Sequence, residues 1–342
     1  MNNLIIIGNG FDLAHNLKTS YNDFIDYILE SQIKDKTKFK DIISIIPSID
    51  SIETFKGYLK GDHVGFMNVN NKFFKLLIDD ISLNNWCDIE KKYYTVLMDL
   101  RKNGYRNIGD FHVDFKIVKN HLSDYLSQIE KNQDKKESYN CFFSLLLNSE
   151  SRILNFNYTN TLDRYLVGIP NNTFINIHGE LDSVQNPIIF GFAADDYESR
   201  ELISKDNKEY IRFIKKHCYK RTDNENRLNE FLKDHNKINV FILGHSSGVS
   251  DKLILNQIFN HPNIKSITNF YFEEYENFFS FQYNVDRIMN NDENFKKLVS
   301  FKSSHRMPQL TDSKEQTDSF NRYIDKIIDN NKPRTMIEPG VF

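Results

Sequence analysis

Cysteine is scarce and scattered: the 342 residues hold three, Cys87, Cys141 and Cys218. No CxxC pair offers a zinc or redox motif, and an odd, dispersed set fits a reducing compartment. No apolar run approaches the ~20 residues of a membrane-spanning helix. The early run Leu4-Ile5-Ile6-Ile7 is too short for a secretory signal and lacks a basic flank, so a cytoplasmic location is expected. The net charge of -3 gives no basic field for nucleic acid. HExxH, P-loop and EF-hand spacings are missing, and no metal site is expected. Alanine is poor beside abundant Asn, Lys, Ile and Phe, which reads as genome bias rather than function. No internal repeat or low-complexity tract occurs.

What remains is an ordinary globular balance in a chain long enough to bury a core without disulfides or metals. Residues 4–7 form a short apolar run ending at Gly8-Asn9-Gly10, which predicts a buried parallel strand and a tight turn. Ser20, three residues before Asp23, predicts a capping box for a helix with Phe24, Ile25, Ile28 and Leu29 on its apolar stripe. Residues 37–150 show helical spacing in Phe73-Phe74-Leu77, Ile89 through Leu100 and Phe115 through Ile129, with little strand alternation. From Arg152 onward, short strand candidates at 153–156, 173–177, 188–190, 238–243 and 264–272 alternate with helical stretches at 162–166, 210–232 and 253–259.

These patterns predict an α/β fold with a Rossmann-like, mostly parallel sheet and an inserted helical subdomain. Residues 1–36 would be the first strand–loop–helix of a nucleotide-binding domain. Residues 37–150 would be the insert, 151–272 the rest of the α/β domain, and 273–342 a C-terminal helical region.

Four polar segments each follow a strand candidate, where open α/β sheets bind ligands. Gly8-Asn9-Gly10-Phe11-Asp12 would let backbone amides approach a phosphate, although a plain strand–helix turn with Asp12 as N-cap explains it as well. Residues 155–163, NFNYTNTLD, offer amides and hydroxyls that can orient a water or a sugar hydroxyl; the plainer alternative is a loop capped by Thr159 or Asn160. In Ile177-His178-Gly179-Glu180 a strand-end histidine can act as general base near neutral pH, against the commoner role of a structural histidine. Residues 241–251, FILGHSSGVSD, predict a second phosphate- or ribose-binding turn, with Ser250 or Asp251 capping a helix. Gly-His-Ser there could suggest a hydrolase elbow, and a serine nucleophile ranks low. The Asp195-Asp196 pair reads as a solvated loop, the basic stretch from Lys215 to Arg221 as a wet helix face, and Asp88 and Glu90 beside Trp86 as a helix start.

The stretch LIIIGNGFDLAHNLKTSYNDF resembles the signature of the bacteriophage abortive-infection AbiH family. WCDIEKKYY, NFNYTNTLD, IHGEL and LGHSSGVSD resemble that family too, from the first strand to roughly residue 260. More distantly, the ordered set is similar to the sirtuin-like NAD-binding superfamily with its anti-phage NAD hydrolases. Asn9, Asp12, Asn16 and Thr159 depart from that superfamily's usual residues.

The resemblance implies an antiviral NAD+ glycohydrolase with Asn157 and His178 as the catalytic pair. NAD would be the substrate, held by Gly8, Asn9, Gly10, Phe11, Asp12, Tyr158, Gly179, Gly244, His245, Ser246 and Asp251. Expected partners are a small-molecule nucleotide, a phage-derived trigger or partner protein, and a second copy of the chain, with neither membrane nor clear nucleic acid. A non-catalytic NAD or ADP-ribose sensor is the alternative, and a nuclease ranks last.

Overall fold

The computed structural model describes residues 2–61, 65–82, 89–103, 108–129, 135–147, 150–170, 173–194, 197, 201 and 208–330. Seven strands occur among them: β1 (Asn2–Ile7), β2 (Ile43–Ile45), β3 (Met67–Val69), β4 (Ser151–Asn155), β5 (Phe174–Asn176), β6 (Ile238–Leu243) and β7 (Ile264–Phe270). The helices before β4 are α1 (Asn9–Leu13), α2 (Tyr21–Lys34), α3 (Ile52–Lys60), α4 (Lys72–Ser82), α5 (Ile89–Lys102), α6 (Gly109–Gln128) and α7 (Glu137–Leu147). After β5 come α8 (Lys215–Cys218), α9 (Asn224–Asp234), α10 (Lys252–Phe259), α11 (Tyr275–Met289), α12 (Asp292–Phe295) and α13 (Lys314–Asn330).

Five strands form one parallel sheet in the order β5-β4-β1-β6-β7. The first strand in sequence is central, and the chain winds outward from it both ways, which is the Rossmann-like order. β1 is apolar throughout its second half because both of its faces are covered. Leu4 and Ile6 pack with Ile175, Val240, Ile242, Ile258 and Phe281. Ile5 and Ile7 pack on the opposite face with Phe11, Phe142, Phe241, Phe270 and Phe320. Ile5 pairs with Ile153 on one side and Phe241 on the other, so the register stacks large side chains in rows.

The segment between α2 and α7 builds a core of its own. Phe24 and Ile28 of α2 meet Phe55, Phe73, Phe74, Tyr93 and Phe115, and Phe190, Phe192 and Ile214 join from much later in the chain. The Tyr93 and Phe115 rings lie 4.0 Å apart, and the Tyr93 hydroxyl is 2.8 Å from His112 Nδ1. This layer is helical over α5 and α6, and it also holds the short antiparallel pair β2–β3, which three-residue strands are too brief to announce by alternation. α7, which lies within 37–150, packs elsewhere: Tyr139, Phe142 and Phe143 lie against the sheet beside Phe320 of α13. The capping box at Ser20 forms as the sequence predicts, with the Asp23 amide donating to Ser20 Oγ and the Ser20 amide to the Asp23 carboxylate.

Two expectations need correction. Residues 188–190 are not a strand. They run between isolated bridges, Glu180 to Pro187 and Phe192 to Ile214, because Pro187 lacks an N–H for a ladder. Ile189 turns to the sheet core and Phe190 to the helical core, so the segment stitches the two together. Residues 210–232 are not one helix but short turns, α8 and then α9, broken near Thr222 and Asp223. Among the described residues no helix is long and apolar enough to cross a membrane.

Candidate functional site

Lys215 is fully buried on the four-residue α8. Its Nζ donates to Glu90 Oε2 and to Asp251 Oδ1, both at 2.8 Å. Glu90 comes from α5 in the helical layer, and its Oε1 accepts the Gly191 amide at 3.1 Å. Asp251 comes from the turn after β6. Burial alone would lower the Lys215 pKa, but Asp251 and Glu90 reverse that and raise it. Burial likewise opposes the Asp251 carboxylate, yet Lys215 and His178 hold it well below the ordinary carboxylate range.

Two imidazoles complete this cluster. His178, from the end of β5, has Nε2 3.0 Å from Asp251 Oδ1, 3.4 Å from Lys215 Nζ and 3.3 Å from the Tyr219 hydroxyl. The carboxylate is the nearest partner and only accepts, so Nε2 carries the proton. Nδ1 has no hydrogen bond among the described residues. Burial and the Lys215 charge push the His178 pKa down to about 4, against the pull of Asp251, so the ring is neutral at pH 7. His245 Nδ1 accepts the Ser247 amide at 3.0 Å, which leaves its Nε2–H facing Asp251 Oδ2 at 3.4 Å. The Phe156 ring packs edge-on to both imidazoles, and the Tyr158 ring stacks on His178.

Asn157 belongs to a neighbouring network. Its Nδ2 donates to the Gly8 carbonyl at 3.1 Å, and its amide donates to Asn155 Oδ1. Among the described residues no hydrogen bond joins Asn157 to His178. Asp12 is buried beside it: Thr159 Oγ1 donates to Asp12 Oδ2 at 2.6 Å, while Oδ1 has no partner. Burial pushes the Asp12 carboxyl up to about 6, although the Thr159 bond and the polar groups of Thr161 and Asn157 nearby oppose the rise.

The turn after β1 and the turn after β6 are in direct contact. A Cβ on Gly10 would lie 2.7 Å from the Gly244 Cα, and one on Gly244 would lie 2.2 Å from the Phe11 nitrogen. The glycines therefore serve loop-on-loop packing. The Gly8 amide donates to Leu243 O, that of Gly10 to Gly244 O and that of Phe11 to Gly8 O, so these three are already engaged. α1 begins at Asn9 with Gly8 as N-cap, and Asp12 sits inside it rather than capping it. Asn9 is exposed, where its side chain pairs with Thr19.

Asp251 precedes α10 without a side-chain cap bond, because its carboxylate is committed to Lys215 and the imidazoles. Thr159 and Asn160 likewise make no cap bond to the short turn Thr161–Tyr165. Gly179 adopts φ +83 with Pro187 O against it, which fixes the backbone beside His178. Gly244, Ser246 and Gly248 do fall at G-x-S-x-G spacing. Ser246 is exposed and its hydroxyl has no His or carboxylate partner among the described residues, while the left-handed residue is Ser247 at φ +53. His15 is structural, held between Phe11 O and the Tyr165 hydroxyl.

Lys215, Glu90 and Tyr219 are the site residues that sequence reading missed. Ile214, Lys215, Cys218 and Tyr219 are buried while Lys216, His217 and Lys220 are exposed, an i, i+4 pattern that marks Lys215 as inward. Asp195 and Asp196, with Trp86 and Asp88, lie outside the described residues. A family model described as bacteriophage abortive infection AbiH matches residues 4–273, from the central strand to just past β7. No curated protein matches the chain.

Proposed function

The chain belongs to the bacteriophage abortive-infection AbiH family, which indicates a part in phage defence, and we propose that it acts there by hydrolysing NAD+ in the cytoplasm. The observation that carries the reading is the cluster around His178. Two carboxylates, Glu90 and Asp251, face one ammonium, Lys215, so the buried group holds one net negative charge beside a neutral imidazole. Breaking the bond between ribose C1′ and the nicotinamide nitrogen sends its electron pair to neutral nicotinamide and leaves a cationic ribosyl group. A unit negative charge ~5 Å from that cation, at an effective dielectric of ~20, favours it by roughly 3 kcal/mol. Water then bonds to C1′ to give ADP-ribose and loses its proton to His178 Nδ1. Asn157 orients the water or a ribose hydroxyl, as an amide can without accepting the proton.

The supporting likeness is the order of Gly8-Asn9-Gly10, Asn157-Tyr158, His178-Gly179 and Gly244-His245-Ser246 with Asp251, which resembles the sirtuin-like NAD-binding superfamily. In this reading Asp12, Tyr158 and Gly179 shape the same nucleotide site, while the Phe11 ring is buried in the core beneath the first turn.

A second reading is a sensor that binds NAD+ or ADP-ribose without turnover. The Asn157 side chain, already committed to the Gly8 carbonyl, favours it. Purified protein incubated with NAD+ separates the two. Release of nicotinamide and ADP-ribose, reduced ~10²–10⁴-fold in a folded His178→Ala variant, supports hydrolysis. Binding by calorimetry with no product supports the sensor. Full turnover in both His178→Ala and Asn157→Ala removes this site from the mechanism.

A further inference from the structure

We propose that Lys215 is a positioning residue for His178: by sharing Asp251 it keeps the imidazole neutral, with the proton on Nε2 and Nδ1 bare. The inference rests on the proposed site only for what the bare Nδ1 then does.

The geometry leaves few alternatives. Asp251 Oδ1 is divided between Lys215 Nζ at 2.8 Å and His178 Nε2 at 3.0 Å, and Oδ2 faces His245 Nε2. A carboxylate donates nothing, so Nε2 of His178 must present its hydrogen. An unshared buried carboxylate at 3.0 Å would draw a second proton onto the ring and make it imidazolium. The Lys215 charge at 3.4 Å cancels that pull. The groups facing His178 are Lys215, Asp251, His245 and Tyr219, with Tyr158 stacked on the ring and Glu90 behind Lys215. Lys215 is the cation among them, and burial of the ring acts in the same direction as its charge.

Glu90 gives the arrangement its reach. It stands on α5, in the helical layer, and holds the far side of the Lys215 ammonium. The docking of that layer is therefore felt at His178 through Glu90 and the Lys215 ammonium.

Nitrogen-15 spectra of the histidine-labelled full chain test the proposal without any substrate. In the wild type His178 should show Nε2–H at pH 7 and protonate only far below the usual histidine range. In Lys215→Met/Glu90→Gln, which removes one charge of each sign, the His178 proton affinity should rise by about tenfold or more. In Asp251→Leu the acceptor is gone, the Lys215–Glu90 pair stays balanced and the lysine becomes the donor to the ring, so the proton should move to Nδ1. An Nδ1–H form in the wild type, or an unmoved titration in the folded double variant, overturns the proposal. If the double variant does not fold, retention of Nε2–H in Asp251→Leu does so. A protein with these spectra but no NAD+ turnover would refute the hydrolase reading alone.

Discussion

Asp12→Asn should gain stability relative to the wild type as pH rises from about 4 to above about 6. The wild-type carboxyl is buried, with Oδ2 bonded to Thr159 and Oδ1 unpartnered, and its pKa rises from 3.8 to about 6 on folding. Between those values the native state holds a proton that the unfolded chain has released. The contribution of this carboxyl to stability is therefore greatest below pH 3.8, falls as pH rises, and levels off beyond about pH 6. At 1.36 kcal/mol per pH step the loss is roughly 3 kcal/mol, of which about 2 kcal/mol falls between pH ~4.5 and ~7.5. Asparagine is nearly isosteric and uncharged, so it avoids the loss. It adds an amide that can be left without an acceptor at a cost of ~1–3 kcal/mol, but that cost does not vary with pH. The readout is thus the change in the stability difference between variant and wild type, from urea unfolding at the two pH values. A difference that moves by about 2 kcal/mol in favour of the variant as pH rises supports the buried carboxyl. The same difference at both pH values refutes it.

Lys215→Met should cost about 3–5 kcal/mol, because Glu90 and Asp251 would stay buried without their cation. Adding Glu90→Gln should recover part of that loss, and strict additivity in a double-mutant unfolding cycle would contradict a shared charge cluster. Gly244→Ala should destabilise by ~2 kcal/mol or more, since φ is +69 and the new Cβ would lie 2.2 Å from the Phe11 nitrogen. A thermal melt matching the wild type would show that the β1 and β6 turns can part without cost.

The sheet was legible because its strands are buried on both faces. LIII in β1 and VFIL in β6 stand out as unbroken apolar runs, and Ser20, with Asp23 three residues on, announces the start of α2. Pattern fails where the partner is remote. The charge on Lys215 reads as exposed, since its compensation comes from Glu90 and Asp251 on two other elements, and α8 offers barely more than one turn of pattern. Residues 188–190 are apolar for a reason other than a ladder: they fill two cores. The glycines of the first turn suggested a phosphate approach, whereas their close neighbour in the fold is the backbone of Gly244 and His245. His178 and Asn157 were findable as strand-end polar residues, but local sequence does not reveal that their networks differ, Asn157 being tied to the Gly8 carbonyl and His178 to Asp251.

The central place of β1 governs when the fold can assemble. This strand is synthesised first, yet its two neighbours begin at Ser151 and Ile238. At ~5–20 residues per second on the ribosome, β1 waits roughly 7–30 s for β4 and roughly 10–45 s for β6. Throughout that interval an apolar strand has both edges open, the condition that favours pairing with another chain. The intervening helical layer has most of its own core in hand by Ile129 and can collapse early, but it shields none of the β1 faces, which close only when α7, α10 and α13 arrive. The central strand is therefore made well before either of the neighbours that close its edges.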